Sequence, residues 1–170
     1  MSIKTESGYK DLLRTDHVLK RVLVSPQADK ILPIYRWYKF KEAFSSSLVK
    51  YLLDKYAIVG GTLLDPFAGS GTSLFAASNV GLSVEGIELL PIGQQIISTK
   101  KIIYDGLNVD ELADLERWAT STPWRNSKGR KEISELRITK GAYPEETIIL
   151  MEQYLYSIDE ESQKVTIILM

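Results

Sequence analysis

The stretch LLDPFAGSGTSLFAASNVGLSVEGIEL, Leu63–Leu89, limits the architecture of this chain more tightly than any other. A short apolar run around Thr62–Leu64 reads as a buried strand and ends in Asp65-Pro66-Phe67. Gly69 and Gly71 follow, then Thr72–Val80, rich in alanine and helix-compatible, with Gly81 suited to its C-terminal cap. A second strand candidate, Leu82–Ile87, closes on Glu88. Strand, glycine turn, helix, strand is the opening of a doubly wound α/β sheet, whose ligands bind at the carboxyl ends of the strands. The turn collects backbone N–H groups and the positive end of a helix at one point. Glycines there remove Cβ atoms where a ligand must approach the backbone. Glu88 stands roughly twenty residues beyond the turn, where an acid can bind ribose hydroxyls. This geometry predicts a nucleoside-containing cofactor.

The rest of the chain divides around this unit. The first forty residues, with Pro26 and Pro33, read as an irregular arm with a strand at Val22–Val24. From Glu42 to Tyr56, Phe44, Leu48, Tyr51, Leu52 and Tyr56 recur at helical spacing, with Ser45–Ser47 near the start. Gly60-Gly61 breaks that helix. Pro91 opens a helix towards Tyr104, and Asn108 is placed to cap another over Val109–Ala119. Ser121–Gly141 reads as a long loop, and Glu145–Ser157 returns to helical spacing. The final run, VTIILM at Val165–Met170, is rich in β-branched residues. It reads as a terminal core strand or as an element cut mid-way, because a terminal apolar run must be buried against something. The expected organisation is a basic arm over residues 1–41, a cofactor-binding α/β core over 42–106, and a helical extension over 107–170 that continues beyond the chain end.

Composition narrows the chemistry. At 170 residues the chain can bury a real core. It has no cysteine and a single histidine, His17, which excludes thiolate and multi-histidine metal sites and a cysteine nucleophile. His17 in a polar arm is expected to be an incidental surface residue. No apolar run approaches the roughly 18 residues needed to cross a bilayer, and no signal-peptide core is present, so the expectation is a cytoplasmic protein without a membrane partner. The net charge is −1, yet basic residues gather in the arm and again over Arg125–Lys140, the kind of local excess that can track nucleic-acid phosphates and more often is a solvated surface.

Elimination narrows the cofactor. No lysine follows Gly71, which disfavours a triphosphate-binding loop, and Leu74 occupies the third glycine position of the dinucleotide fingerprint. Asp65 directly ahead of the turn is poorly placed for pyrophosphate but well placed for an ammonium group. The methionine part of S-adenosylmethionine carries one.

The string DPFAGSGT closely resembles the cofactor-binding motif of amino-methylating DNA methyltransferases, which modify adenine N6 or cytosine N4. The upstream KEAFSSSLVKYLL, with its phenylalanine, lies where that family has an aromatic-containing segment. The resemblance covers Trp37 to Thr99. It implies a Rossmann-like S-adenosylmethionine-dependent methyltransferase fold, incomplete in this chain, and double-stranded DNA as partner within a restriction-modification system. Carried over by position, Asp65, Phe67, Ala68, Gly69 and Gly71 form the pocket floor and Thr72 opens the following helix. Glu88 holds the ribose hydroxyls, Leu89 flanks the adenine, and Phe44 and Ser45 close the methionine side.

The chain also departs from that family. Its chemistry takes place at a second motif, a polar residue followed by Pro-Pro and an aromatic, which accepts hydrogen bonds from the target amine and stacks on the flipped base. These 170 residues do not contain it. The nearest string, Thr122-Pro123-Trp124, has one proline and reads as a turn. The catalytic residues are therefore unknown, and the expected partner is a missing C-terminal part or a second methyltransferase subunit. Two other readings stay open. One is a nucleoside-binding module without catalysis. The other is a Rossmann-type methyltransferase acting on RNA or a small molecule.

Overall fold

The computed structural model of the protein describes residues 15–38, 40, 43–134, 137–138 and 140–170. It divides into two compact units, Met1–Gly93 and Gln94–Met170. The expected helix start at Glu42, and the arm before residue 15, lie outside the described residues.

In the first unit, the arm is a series of short turns docked on one helix. A single helical turn, α1 (Arg21–Val24), is followed by 3-10 turns at Ala28–Ile31 and Tyr35–Trp37. The strand expected at Val22–Val24 is therefore a helical turn. The amides of Leu23 and Val24 both donate to the Lys20 carbonyl, and the Leu23 carbonyl accepts the Ser45 hydroxyl. Local β-propensity is weak evidence against such partners, because it reports packing on a pleated surface that this segment does not have.

Helix α2 (Ser46–Lys55) begins within the serine run, with Ser45 as its N-cap accepting the Leu48 N–H at 3.2 Å. Buried Asp29 reaches the same helix end, accepting the Ser46 N–H and hydroxyl at 2.8 Å each. A carboxylate at a helix N-terminus satisfies orphan donors and meets the positive end of the dipole. Further along α2, Asp16 accepts the Tyr51 hydroxyl at 2.5 Å and the Lys55 ammonium at 2.6 Å.

The central unit follows as expected. Strand β1 (Thr62–Asp65) leads through the glycine turn into α3 (Thr72–Ser78) and then to β2 (Ser83–Gly86). The two strands pair in parallel, with Thr62 opposite Ser83 and Asp65 opposite Gly86. Gly81 turns the chain between them at φ +88°. Val49 and Leu53 of α2 pack with Ala76 and Ala77 of α3 and with Leu82, and Phe44, Leu63 and Val84 lie against this cluster. Each large side chain buried here contributes about 1.5–3 kcal/mol. Gly86 has a spatial role: a Cβ there would stand 2.6 Å from Leu74 Cδ1, so glycine permits the close approach of α3 to β2. Glu85 is exposed, as its place on the strand predicts.

The second unit is helical. It holds most of α4 (Pro91–Asp105), then α5 (Val109–Ser121), α6 (Glu145–Ile158) and α7 (Gln163–Leu169). Asn108 caps α5 in a reciprocal box with Glu111, each bond 2.8 Å. Thr122-Pro123-Trp124 enters a 3-10 turn at Pro123–Asn126. That turn places the Trp124 ring 5.3 Å from buried Trp118 in a stack, and Tyr154 meets both rings edge-on. Arg130 and Lys131 of the basic loop are turned to Glu152 of α6 and to Asp159 just past its end, at 3.9 and 2.6 Å, which removes two cations from the apparent excess.

The terminal VTIILM run is helical, and this corrects the strand reading. Ser162 caps α7, and the Thr166 hydroxyl donates to the Ile158 carbonyl at 2.8 Å. The carbonyls of the last turn also find partners: Thr99 donates to that of Ile167 at 3.1 Å and Tyr154 to that of Leu169 at 2.5 Å. Among the described residues this unit has no strand with which VTIILM could pair, whereas a helix buries Val165 completely.

The anchoring of the arm predicts a pH dependence. Hydrogen bonds from Lys55 and Tyr51 lower the Asp16 carboxyl from 3.8 to about 2. A folded value below the unfolded one stabilises above the unfolded pKa and is lost as pH falls through the folded one. The Asp16 contact is therefore expected to loosen between about pH 4 and pH 2, seen as a shift of the Tyr51 ring resonances. Asp16→Asn should abolish that transition.

Candidate functional site

The site residues gather where β1 and β2 end. Asp65 closes β1 with both carboxylate oxygens engaged: Oδ1 accepts the Phe67 N–H at 3.0 Å and Oδ2 accepts the Ser73 hydroxyl. The first bond makes a local turn of the kind aspartate favours; the second ties the turn to the first turn of α3. Two backbone bonds of 2.9 Å, Ile87 N–H to Asp65 and Ala68 N–H to Ile87, continue the strand pairing into the turn. Gly69 and Gly71 then adopt left-handed φ of +54° and +79°, a region that costs other residues about 1–2 kcal/mol.

Glu88 reaches back over this turn. Its Oε2 accepts the Gly69 N–H at 2.7 Å and its Oε1 accepts the Leu90 N–H at 2.8 Å. Charge-assisted bonds of this length orient the carboxylate firmly. Phe67 and Leu89 are 87% and 85% exposed. Large apolar side chains so bare beside a polar turn are suited to contact a flat apolar ligand surface.

On the arm side of the turn lies a cavity of about 220 Å³. Phe44, Ser70 and Thr72 line it, together with Lys30, Tyr35, Arg36, Tyr38 and Phe40 from the arm and its junction. Of the residues expected at the methionine side, Phe44 therefore faces open space. Ser45 does not: it is wholly buried, and its hydroxyl serves the α2 cap and the Leu23 carbonyl. Ala68 is buried beneath the turn. Two contributors were not singled out from sequence. Ser73 holds Asp65, and Phe40 lies 3.3 Å from the position a Gly69 Cβ would take. The aromatic cluster Trp37-Tyr38-Phe40 was the available signal for the second. His17 is exposed and far along the chain from these residues.

No family model matches the sequence, and no solved structure matches it. Curated proteins do. The chain is 45% identical over 158 residues to Type II methyltransferase M.AvaI of Nostoc sp., covering 92% of this chain and 33% of that protein. It is 37% identical over 148 residues to Type II methyltransferase M.BsoBI of Geobacillus stearothermophilus, covering 85% and 28%. A shorter similarity, 35% over 68 residues, covers 40% of this chain and 13% of Type II methyltransferase M.MjaII of Methanocaldococcus jannaschii. The chain thus spans about a third of the length of the first of these relatives. The resemblance to methyltransferases extends over most of the chain, well beyond the glycine-turn motif.

The turn geometry predicts unequal responses to alanine. Gly69→Ala imposes a left-handed φ and pushes on the Phe40 ring, and is expected to lower stability by about 1–2 kcal/mol in chemical denaturation. Gly81→Ala meets open space and should carry the conformational cost alone, the smaller of the two losses.

Proposed function

We propose that this chain is the S-adenosylmethionine-binding part of a site-specific DNA methyltransferase, acting on adenine N6 or cytosine N4 within a restriction-modification system. The observation that carries this reading is the convergence of Asp65, the Gly69–Gly71 turn and Glu88 at the ends of two parallel strands. Similarity to proteins named Type II methyltransferases supports it from an independent direction.

In this reading each residue has a physical task. Glu88 accepts the ribose hydroxyls, as a carboxylate with about four acceptor positions can. Leu89 and Phe67 offer apolar surface to the adenine. Gly69 and Gly71 let the ligand lie against the backbone, and Asp65 supplies negative charge near the ammonium. Phe44 and the cavity before it receive the methionine end. Thr72 opens α3 beside it. Ser45 acts indirectly, by fixing the α2 end on which Phe44 stands. When bound, S-adenosylmethionine supplies an electrophilic methyl group on a sulfonium.

The acceptor half of the reaction lies elsewhere. Methyl transfer requires the acceptor nitrogen held in line at about 3–3.5 Å, and these residues contain no polar-Pro-Pro-aromatic motif to hold an exocyclic amine. We assign that task to further sequence or to a second methyltransferase subunit, with double-stranded DNA as the shared partner and the cytoplasm as the location.

Two outcomes are expected. Glu88→Ala should weaken S-adenosylmethionine binding by about 1–3 kcal/mol, the effect of losing hydrogen bonds to a charged partner; equal calorimetric affinities for the two proteins would contradict the site. In a radiolabelled methyl-transfer assay on mixed-sequence DNA, this chain alone should transfer nothing, and activity should appear when its complementing part is supplied. Robust transfer by the chain alone, abolished by Asp65→Ala, would place the catalytic residues within it. Cofactor binding with no transfer in either case would make it a nucleoside-binding module.

A further inference from the structure

Helix α4 opens with Pro91-Ile92-Gly93, and its glycine is unfavourable by local rules. Inside a helix glycine costs about 1 kcal/mol relative to alanine. The usual excuse, a left-handed φ, does not apply, because Gly93 is not among the positive-φ glycines. The reason is spatial. A Cβ at this position would stand 2.6 Å from Glu88 Cγ, 2.9 Å from Glu88 Cδ and 2.9 Å from the Gly69 carbonyl oxygen. Carbon atoms make favourable contact only near 3.5–4 Å, so the space left by the missing side chain is taken by the stem of Glu88. Gly60 and Gly106, by contrast, have nothing within 4 Å of such a Cβ.

That stem has to pass Gly93 to deliver its carboxylate to the Gly69 and Leu90 N–H groups. Several freely rotating bonds separate a glutamate carboxylate from its backbone, and ordering them carries an entropic cost. Here the acid is held by the Gly69 and Leu90 N–H groups, pressed between the glycine turn and the first turn of α4.

We infer that Gly93 is a positioning residue for the ribose of the cofactor. By leaving room for the Glu88 stem, it holds the carboxylate over the glycine turn before the ligand arrives. This rests on the proposed S-adenosylmethionine site, which it deepens. A side chain at position 93 rotates Glu88 away from Gly69 and presses on the Gly69 carbonyl, while the helix gains a better helix former.

The test is a double-variant cycle on the full 170-residue chain: wild type, Gly93→Ala, Glu88→Ala, and both together. Three readouts are followed: calorimetric affinity for S-adenosylmethionine, thermal midpoint, and the Gly69 amide resonance without ligand. Gly93→Ala is expected to move the Gly69 resonance, to weaken binding about tenfold, as for losing a charge-assisted bond, and not to lower the midpoint. In the Glu88→Ala background the same substitution should cost no further affinity, since the coupling partner is gone, and the Gly69 resonance should move less than in the wild-type background, by the part due to the Gly69 carbonyl contact alone. An unmoved Gly69 resonance in Gly93→Ala would overturn the inference, as would a moved resonance with unchanged affinity. If Gly93→Ala unfolds the chain even without the Glu88 side chain, the glycine serves the Gly69 backbone and the inference fails. A wild type that binds no S-adenosylmethionine refutes the proposed function instead, and the Gly69 resonance still reports whether Gly93 positions Glu88.

Discussion

Asp29, Asp65 and Glu88 each hold a bend of the first unit by accepting backbone N–H groups. Asp29 takes the Ser46 N–H at the start of α2, Asp65 takes that of Phe67, and Glu88 takes those of Gly69 and Leu90. The constraint behind this is general: a backbone donor removed from water must find a partner. Sharp turns between strand and helix leave several donors without a ladder or a helical carbonyl. A short carboxylate satisfies two at once and adds charge assistance. Pairing of β1 with β2 depends on this, because the strands are four residues each and their pairing is prolonged through the Asp65–Ile87 and Ala68–Ile87 bonds of the turn.

The same chemistry places the arm. The serine run supplies both a helix cap and two hydroxyls, so the N-terminus of α2 meets the Leu23 carbonyl and the Asp29 carboxylate together. The cavity wall formed by Tyr35, Arg36 and Tyr38 is thereby held beside Ser70 and Thr72. A pocket wall made of short 3-10 turns has few backbone bonds of its own, and its position rests on these side-chain anchors.

The second unit is stabilised differently, by aromatic and aliphatic burial: Trp118 against Trp124 and Tyr154, with Ile158 and Val165 almost fully enclosed. Aromatic contacts of this kind add about 0.5–1.5 kcal/mol beyond the area they bury. The proline of Thr122-Pro123-Trp124 serves this packing, since its fixed φ suits the first position of the turn that sets Trp124 on Trp118.

The sequence by itself determined the strand–turn–helix–strand unit, the glycines with left-handed φ, the Asn108 cap and the exposure of His17 and Glu85. These depend on neighbours within a few residues, where period, propensity and turn chemistry act directly. The place of Glu88 at the end of the second strand followed from the same unit, whereas its bonds to the Gly69 and Leu90 N–H groups did not. Tertiary structure decided the rest. Val22–Val24 became a helical turn through a bond to Ser45, 22 residues away from Leu23. VTIILM became a helix because its carbonyls and its buried valine found partners on α4 and α6. Ser45 turned from the cavity, and Gly93 took meaning from the Glu88 stem and the Gly69 carbonyl packed against it. A short apolar run, a serine or a lone glycine is compatible with several conformations, and the choice among them is made by which distant group can satisfy its hydrogen bonds and fill its space.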